Sequence, residues 1–264
     1  MPDVVTGKKV ILTRGDTVAL RESDFAIPHG AITAIIGPNG SGKSTLLHAI
    51  AGLLPVDSGN LTVLGATPQV SQSQIAYVLQ YTTVPAGTPL TVAETVAMGR
   101  YPSLGFLRRP TAQDREHVRL AMERLDITHL ARRHLAELSG GQRQRVYVAQ
   151  GIAQDHQLLL LDEPLTGLDI TSARTIDAII HDEPSRGCSV ILTTHDLEEA
   201  KAADHVLLTG GRVIASGPPD AVLTPKNLAE AYGLGNLHTR DDATVLFPTE
   251  HHQHTHEHGS ERGL

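Results

Sequence analysis

The stretch ITAIIGPNGSGKSTLLHAIAG, residues 32–52, decides the fold. Its first five residues are apolar or β-branched and read as a buried strand ending at Gly37. GPNGSGKST (37–45) then fits the phosphate-loop pattern of Gly, four residues, Gly, Lys and Ser or Thr, and a helix starts near Lys43. Glycines let such a loop curl so that backbone N–H groups point at phosphate oxygens, and the helix N-terminus adds partial positive charge. Gly37, Pro38, Asn39, Gly40, Ser41, Gly42, Lys43, Ser44 and Thr45 are therefore candidate contacts for a nucleoside triphosphate. Lys43 is expected to reach the β- and γ-phosphates, and the Ser44 hydroxyl to ligate Mg²⁺. The plainer reading, a Gly-rich turn before an ordinary helix, loses because a buried strand enters the motif and a helix leaves it.

Two further stretches carry chemistry. LLLLDEP (158–164) is an apolar strand ending in two adjacent carboxylates, at the strand end where open parallel sheets bind ligands. Asp162 is placed to hold Mg²⁺, and Glu163 to polarise an attacking water as general base. Alone, the pair would as readily be a solvated strand end; beside a phosphate loop it points to hydrolysis. LSGGQRQR (138–145) supplies Ser139 as the N-cap of the next helix, with Gly140 and Gly141 leaving its first N–H groups uncovered. Two glycines weaken a first turn by about 1 kcal/mol each relative to Ala, a poor arrangement unless something must approach the backbone. A second anion site is expected there.

Around these motifs the chain alternates. Short strands are expected at 10–12, 25–27, 61–64 and 75–79. Helical patterns fill 91–99 and 114–125, where Val118, Ala121, Met122 and Leu125 share one face. Beyond Ser139 come a helix to about 154 and strands at 158–161, 189–193, 206–209 and 213–216. Helices over 172–180 and 197–203 separate them, and one helical segment over 219–232 closes the series. This is an α/β chain with a mainly parallel sheet, right-handed crossovers and helices on both faces. No internal repeat is found.

Composition agrees: 40% of the 264 residues are hydrophobic and 19% charged, enough for a core. A net charge of -7 argues against a broad basic face for nucleic acid. The single cysteine, Cys188, excludes an internal disulfide, and its flanks (CSVILTT) read as a buried strand in which a thiol serves as a small hydrophobe. No apolar run approaches the roughly 18 residues that cross a bilayer, so any service to a membrane is expected from its surface. Of 15 histidines, five fall in the last fourteen positions.

With these residues in view, 4–233 resembles the nucleotide-binding subunit of ATP-binding cassette (ABC) transporters, most specifically through LSGGQRQR. The resemblance implies a P-loop NTPase core with a mainly parallel sheet, a small antiparallel β subdomain and an inserted α-helical subdomain. It places the ATPase domain at 1–233, the helical insert at about 85–150, and a C-terminal extension at 234–264. It implies ATP hydrolysis with Mg²⁺ held by Ser44, Gln80 and Asp162. It also implies a homodimer or pseudo-dimer in which Ser139, Gly140, Gly141 and Gln142 of one copy meet the ATP of the other. Gln80, in YVLQ, is implied to touch Mg²⁺ and water and to sense the membrane partner, Asp169 to lie at the dimer seam, and His195, in LTTHD, to contact the γ-phosphate. Two positions depart from the family. Arg14 stands where an aromatic residue normally stacks on adenine, a role its planar guanidinium can take. Pro184, in HDEPSRG, is expected to end its helix early.

Within the family, residues 98–118, 134–155 and 215–233 resemble the ATPases of zinc- and manganese-type importers. Iron-siderophore and cobalamin importer ATPases share the texture, and a soluble cassette ATPase is the reading from another class. The short interval between Gln80 and Leu138, without heptads or a zinc hook, speaks against repair types. The resemblance implies an integral membrane permease onto whose cytoplasmic face the insert docks. It also implies an extracytoplasmic metal-binding protein, and no nucleic acid. The tail HHQHTHEHGSERGL (251–264) reads as polar and disordered, and His251, His252, His254, His256 and His258 are its candidate Zn²⁺ ligands. A solvated tail without a role is the alternative, since ordering it costs about 1 to 2 kcal/mol per residue.

Overall fold

The computed structural model describes residues 3–79, 89–104 and 109–233. Strand β1 (Asp3–Arg14) turns into β2 (Thr17–Pro28). After β3 (Ile32–Ile36) in the main sheet, β4 (Ser58–Val63) pairs with the other edge of β1, making an antiparallel sheet in the order β2-β1-β4. The short strands expected at 10–12 and 25–27 are in fact 12 residues each. Register shifts on both sides of Val10 break their alternation, and the exposed Lys8, Lys9, Arg21 and Glu22 dilute it.

The main sheet adds β5 (Ile75–Val78), β6 (Leu158–Asp162), β7 (Ser189–Thr194), β8 (His205–Thr209) and β9 (Val213–Gly217), in the order β5-β6-β7-β3-β8-β9. All pairs are parallel except β8 with β9. Both faces of its central strands are buried, which is why they read as unbroken apolar runs. Successive side chains go to opposite faces. Ile35, Leu158, Leu160 and Leu207 pack with Leu46, Leu47 and Ile50 of α1 (Lys43–Ile50) and with Leu12 and Leu20 of the small sheet. Ile36, Leu159, Leu161 and Leu208 pack on the other face with Val146, Ala149, Ile176 and Ile180. The small antiparallel sheet, expected from the family resemblance, covers one of these faces together with α1.

After α2 (Pro68–Ser71), the interval between β5 and β6 holds α3 (Val92–Met98), α4 (Tyr101–Leu104), α5 (Ala112–Arg124) and α6 (Gly140–Ile152). Reciprocal caps, Thr91 with Glu94 and Thr111 with Asp114, start α3 and α5. On α5, Ala121, Met122 and Leu125 are buried and Val118 packs at their edge. The later helices are α7 (Ile170–Asp182), α8 (Leu197–Ala202), α9 (Pro219–Val222) and α10 (Pro225–Ala231). The closing segment is thus two short helices, because Pro225 keeps Thr224 out of helical geometry. Helix α7 stops at Asp182 and Pro184 sits in the 3₁₀ turn that follows, in line with the early ending expected of it. Cys188 precedes β7 and is half-buried. Its thiol donates to the His156 carbonyl at 3.3 Å, so it is not the apolar filler expected of it.

Arg100 fastens the helical interval together. Its guanidinium donates to Asp114 Oδ1 at 3.0 Å, Asp155 Oδ2 at 2.9 Å and the Ala153 carbonyl at 2.9 Å, joining the end of α3 to α5 and to the end of α6. Hydrogen bonds from the Thr111 hydroxyl and amide, with Arg100 beside them, hold the Asp114 carboxyl down to about 2. That is below its ordinary 3.8. Its stabilisation is therefore full above about pH 4 and lost as pH falls toward about 2. Denaturant titrations from neutral pH to about pH 3 should show stability falling across that window. Asp114→Asn should be less stable at neutral pH and flatter in acid, and an unchanged acid slope would remove Asp114 from the cause.

Candidate active site

Strand β3, buried throughout, delivers Gly37 to the end of the sheet, between β7 and β8. The chain leaves β3 for the far edge at β5, returns through β6 and β7, and only then forms β8 on the other side. The loop at 37–42 therefore opens at the point where strand order reverses, the usual place for a ligand in such sheets. Gly42 (φ 96°) has no side chain with which to cap α1, and a Cβ there would lie 2.5 Å from the Ala19 carbonyl oxygen of β2. Only glycine meets both demands. The Ser41 hydroxyl is 2.8 Å from that of Thr209 at the end of β8, which anchors the loop to the sheet.

Lys43 is buried, and its Nζ donates to the carbonyls of Gly37 at 2.8 Å and Pro38 at 3.1 Å. Burial pushes its pKa down, and the carboxylates of Glu163 and Asp162 oppose that shift. An ammonium so held lies inside the curl of the loop, where it can meet phosphate oxygens. At the end of β6, Asp162 Oδ1 accepts from the Ser44 hydroxyl at 3.1 Å and from the Thr193 hydroxyl at 2.5 Å. Two of the three expected magnesium ligands, Ser44 and Asp162, are thus already in contact, and a hydroxyl plus a carboxylate suits a hard cation that retains several waters.

Glu163 takes the left-handed conformation (φ 46°), uncommon for a residue with a side chain. Its amide donates to Thr193 Oγ1 at 2.9 Å, and its Oε2 lies 3.8 Å from His195 Nδ1, just past the end of β7. The carboxylate is mostly shielded while the imidazole is more than half exposed. Lys43, Ser44, Asp162, Glu163 and His195 therefore converge at one end of the sheet. Thr193 holds the Asp162 carboxylate and the Glu163 backbone amide, and sequence reading passed it over because it stands inside a strand whose every residue is buried. Its one available signal was the pair of threonines, Thr193 and Thr194, that closes an apolar strand. Arg14 lies exposed at the end of β1. Its charge reaches Tyr77, whose pKa burial and Asp162 push up and Arg14 pulls down.

A second group forms at the start of α6. The Ser139 hydroxyl accepts from the Gln142 amide at 3.2 Å, and Gln142 Oε1 accepts from the Ser139 amide at 3.0 Å. The expected cap is present, and the Gln142 side chain is spent on it. A Cβ on Gly141 would overlap Asp169 Oδ2 and Ser172 Oγ at the start of α7. The group that approaches this backbone is thus the chain's own Asp169, which also caps α7 by accepting from the Ser172 amide at 2.9 Å. Only Gly140 keeps the original rationale of an open turn. Gln80 and the five tail histidines lie outside the described residues.

The family model described as ABC transporter matches residues 20–166. The chain is 39% identical over 239 residues to the zinc transport system ATP-binding protein of Treponema pallidum, spanning 90% of this chain and 88% of that protein. It is 35% identical over 231 residues to the manganese transport system ATP-binding protein of Listeria monocytogenes, spanning 87% and 93%. Among solved structures, an ABC transporter in an inward-facing conformation superposes with a TM-score of 0.76 at 29% identity, covering 87% of this chain and 88% of that one.

Proposed function

The chain belongs to the ABC transporter family, and from that premise we propose that it hydrolyses ATP to energise uptake of zinc or manganese through a separate permease. The observation that carries the hydrolytic part is the shared position of Ser44, Asp162 and Thr193, with Lys43 and Glu163 beside them. Lys43 binds the β- and γ-phosphates within the loop 37–45. Ser44, Asp162 and Gln80 hold Mg²⁺, which neutralises charge on the phosphate oxygens when bound. Glu163 accepts the proton of the attacking water, and His195 contacts the γ-phosphate. Arg14 stacks its guanidinium on the adenine.

Two copies are needed. Ser139 and Gly140 at the start of α6 are turned to the ATP of the partner, with Gly141 packed against Asp169 at the seam and Gln142 holding the cap. The ATPase domain spans 1–233 with its helical insert at about 85–150, and that insert docks on the cytoplasmic face of the permease. An extracytoplasmic metal-binding protein completes the system. No helix among the described residues is long and apolar enough to cross a membrane.

The similarity to zinc and manganese transport proteins supports the choice of metal. Uptake of radiolabelled zinc, manganese and iron in cells with and without the intact chain tests it. Zinc or manganese accumulation should fall and be restored by the intact chain. Selective loss of iron uptake would move the assignment to iron carriers. No uptake defect, together with failure to co-purify a multi-span membrane protein, would favour a soluble cassette ATPase.

A further inference from the structure

Away from the nucleotide loop, His156, Glu183 and Cys188 form a group whose ligand atoms all lie within 4.8 Å of one another, the one such set of three among the described residues. His156 comes from the turn before β6; Glu183 and Cys188 come from the turn between α7 and β7. The orientation of each side chain is fixed. His156 Nδ1 faces the Gln154 carbonyl at 2.9 Å, which makes it the donor nitrogen and leaves Nε2 aimed at the group, 3.0 Å from Glu183 Oε2. Arg124, the last residue of α5, holds the other oxygen, Glu183 Oε1, at 2.7 Å. The Cys188 thiol lies against His156, donating to its carbonyl. Glu183 is wholly buried and the His156 side chain only 5% exposed, while Cys188 is half-buried.

A metal-binding histidine almost always gives its second ring N–H to a carbonyl or carboxylate, and a ligating carboxylate is itself hydrogen-bonded. Both conditions are met before any ion arrives. We infer that His156 Nε2, Glu183 Oε2 and Cys188 Sγ form a binding site for a divalent cation of the zinc class, with a fourth position open to water. One nitrogen, one sulfur and one oxygen suit zinc; magnesium, calcium and manganese prefer oxygen donors throughout. The ion takes the place of one proton on the His156 ring and one on the thiol, both released to solvent. Net charge in the group therefore stays the same, and no unpaired charge is left buried. Because Arg124 shares Glu183, the ion would sit under the joint between α5 and the main sheet's turns. This inference does not depend on which substrate the transporter carries.

Cys188 is the only cysteine of the chain, so cobalt reports on it without ambiguity. Titrating the full-length protein with Co²⁺ should produce a near-ultraviolet thiolate-to-cobalt charge-transfer band, which tail histidines cannot give, and Zn²⁺ should abolish it. Cys188→Ser should lose the band, and His156→Asn should weaken Co²⁺ binding by at least about tenfold. In the unaltered protein, Zn²⁺ but not Mg²⁺ should slow alkylation of Cys188. A saturated titration without the band, a band that survives intact in His156→Asn, or alkylation indifferent to Zn²⁺ would each overturn the site and leave His156–Glu183 as an ion pair that only braces the fold.

Discussion

Glu163→Gln is expected to leave ATP bound and to slow its hydrolysis by about 10²- to 10⁴-fold, the usual contribution of a positioned general base. Gln is nearly isosteric with Glu, and what fixes position 163 is its backbone. The amide is held by Thr193, and the residue already sits at φ 46°. The substitution therefore keeps the backbone anchor and removes the proton-accepting capacity together with a negative charge that faces Lys43 and His195. Asp162, which contacts Ser44, keeps its own hydrogen bonds, so magnesium and nucleotide affinity should stay within about twofold, well inside a 1.4 kcal/mol change. Phosphate release in single turnover, measured beside equilibrium ATP binding, separates the two effects. Hydrolysis within tenfold of the unaltered protein would mean that another group takes the proton, His195 being the nearest candidate at 3.8 Å.

Lys43→Met should do the reverse and strike binding first. Met preserves most of the aliphatic stem that packs in the buried loop but removes the ammonium. A hydrogen bond to a charged group contributes about 1.5–3 kcal/mol, so loss of one phosphate contact lowers ATP affinity by at least about tenfold. Loss of two lowers it by a hundredfold or more. Lys43→Arg should not restore it. The site is closed, with Nζ between the carbonyls of Gly37 and Pro38, and a planar fork is not interchangeable with a compact ammonium. Calorimetric ATP titrations of the two variants, with thermal melts to show that they fold, are the measurement. Affinity within twofold of the unaltered chain in Lys43→Met would sink the phosphate assignment.

Much of this site was legible because its chemistry needs unusual residues at fixed spacing. A Gly-rich loop after an apolar strand announces Gly37 to Thr45, an acidic pair after LLLL announces Asp162 and Glu163, and Ser139 followed by two glycines announces a capped helix. Elements whose cues are ordinary letters were harder. The long hairpin was read as two short pieces, because its bulges reset the alternation that marks a strand. Thr193 and Thr209 look like β-branched filler, and their roles depend on what lies across the sheet from them, which spacing along one strand cannot report. Gly141 was read as an opening for an outside ligand although Asp169, distant in sequence, fills that space. Cys188 was assigned to a strand that begins one residue later, and its partner His156 lies 32 residues away.

Thr193 Oγ1 donates to Asp162 and accepts from the amide of Glu163, so the two adjacent acidic residues are registered against the same atom. Two independently anchored carboxylates would each wander with their own loops, and their errors would accumulate in the gap between them. Here any drift of β7 carries both along together. The Asp162 carboxylate and the Glu163 backbone thus share one fixed point instead of two separate loops.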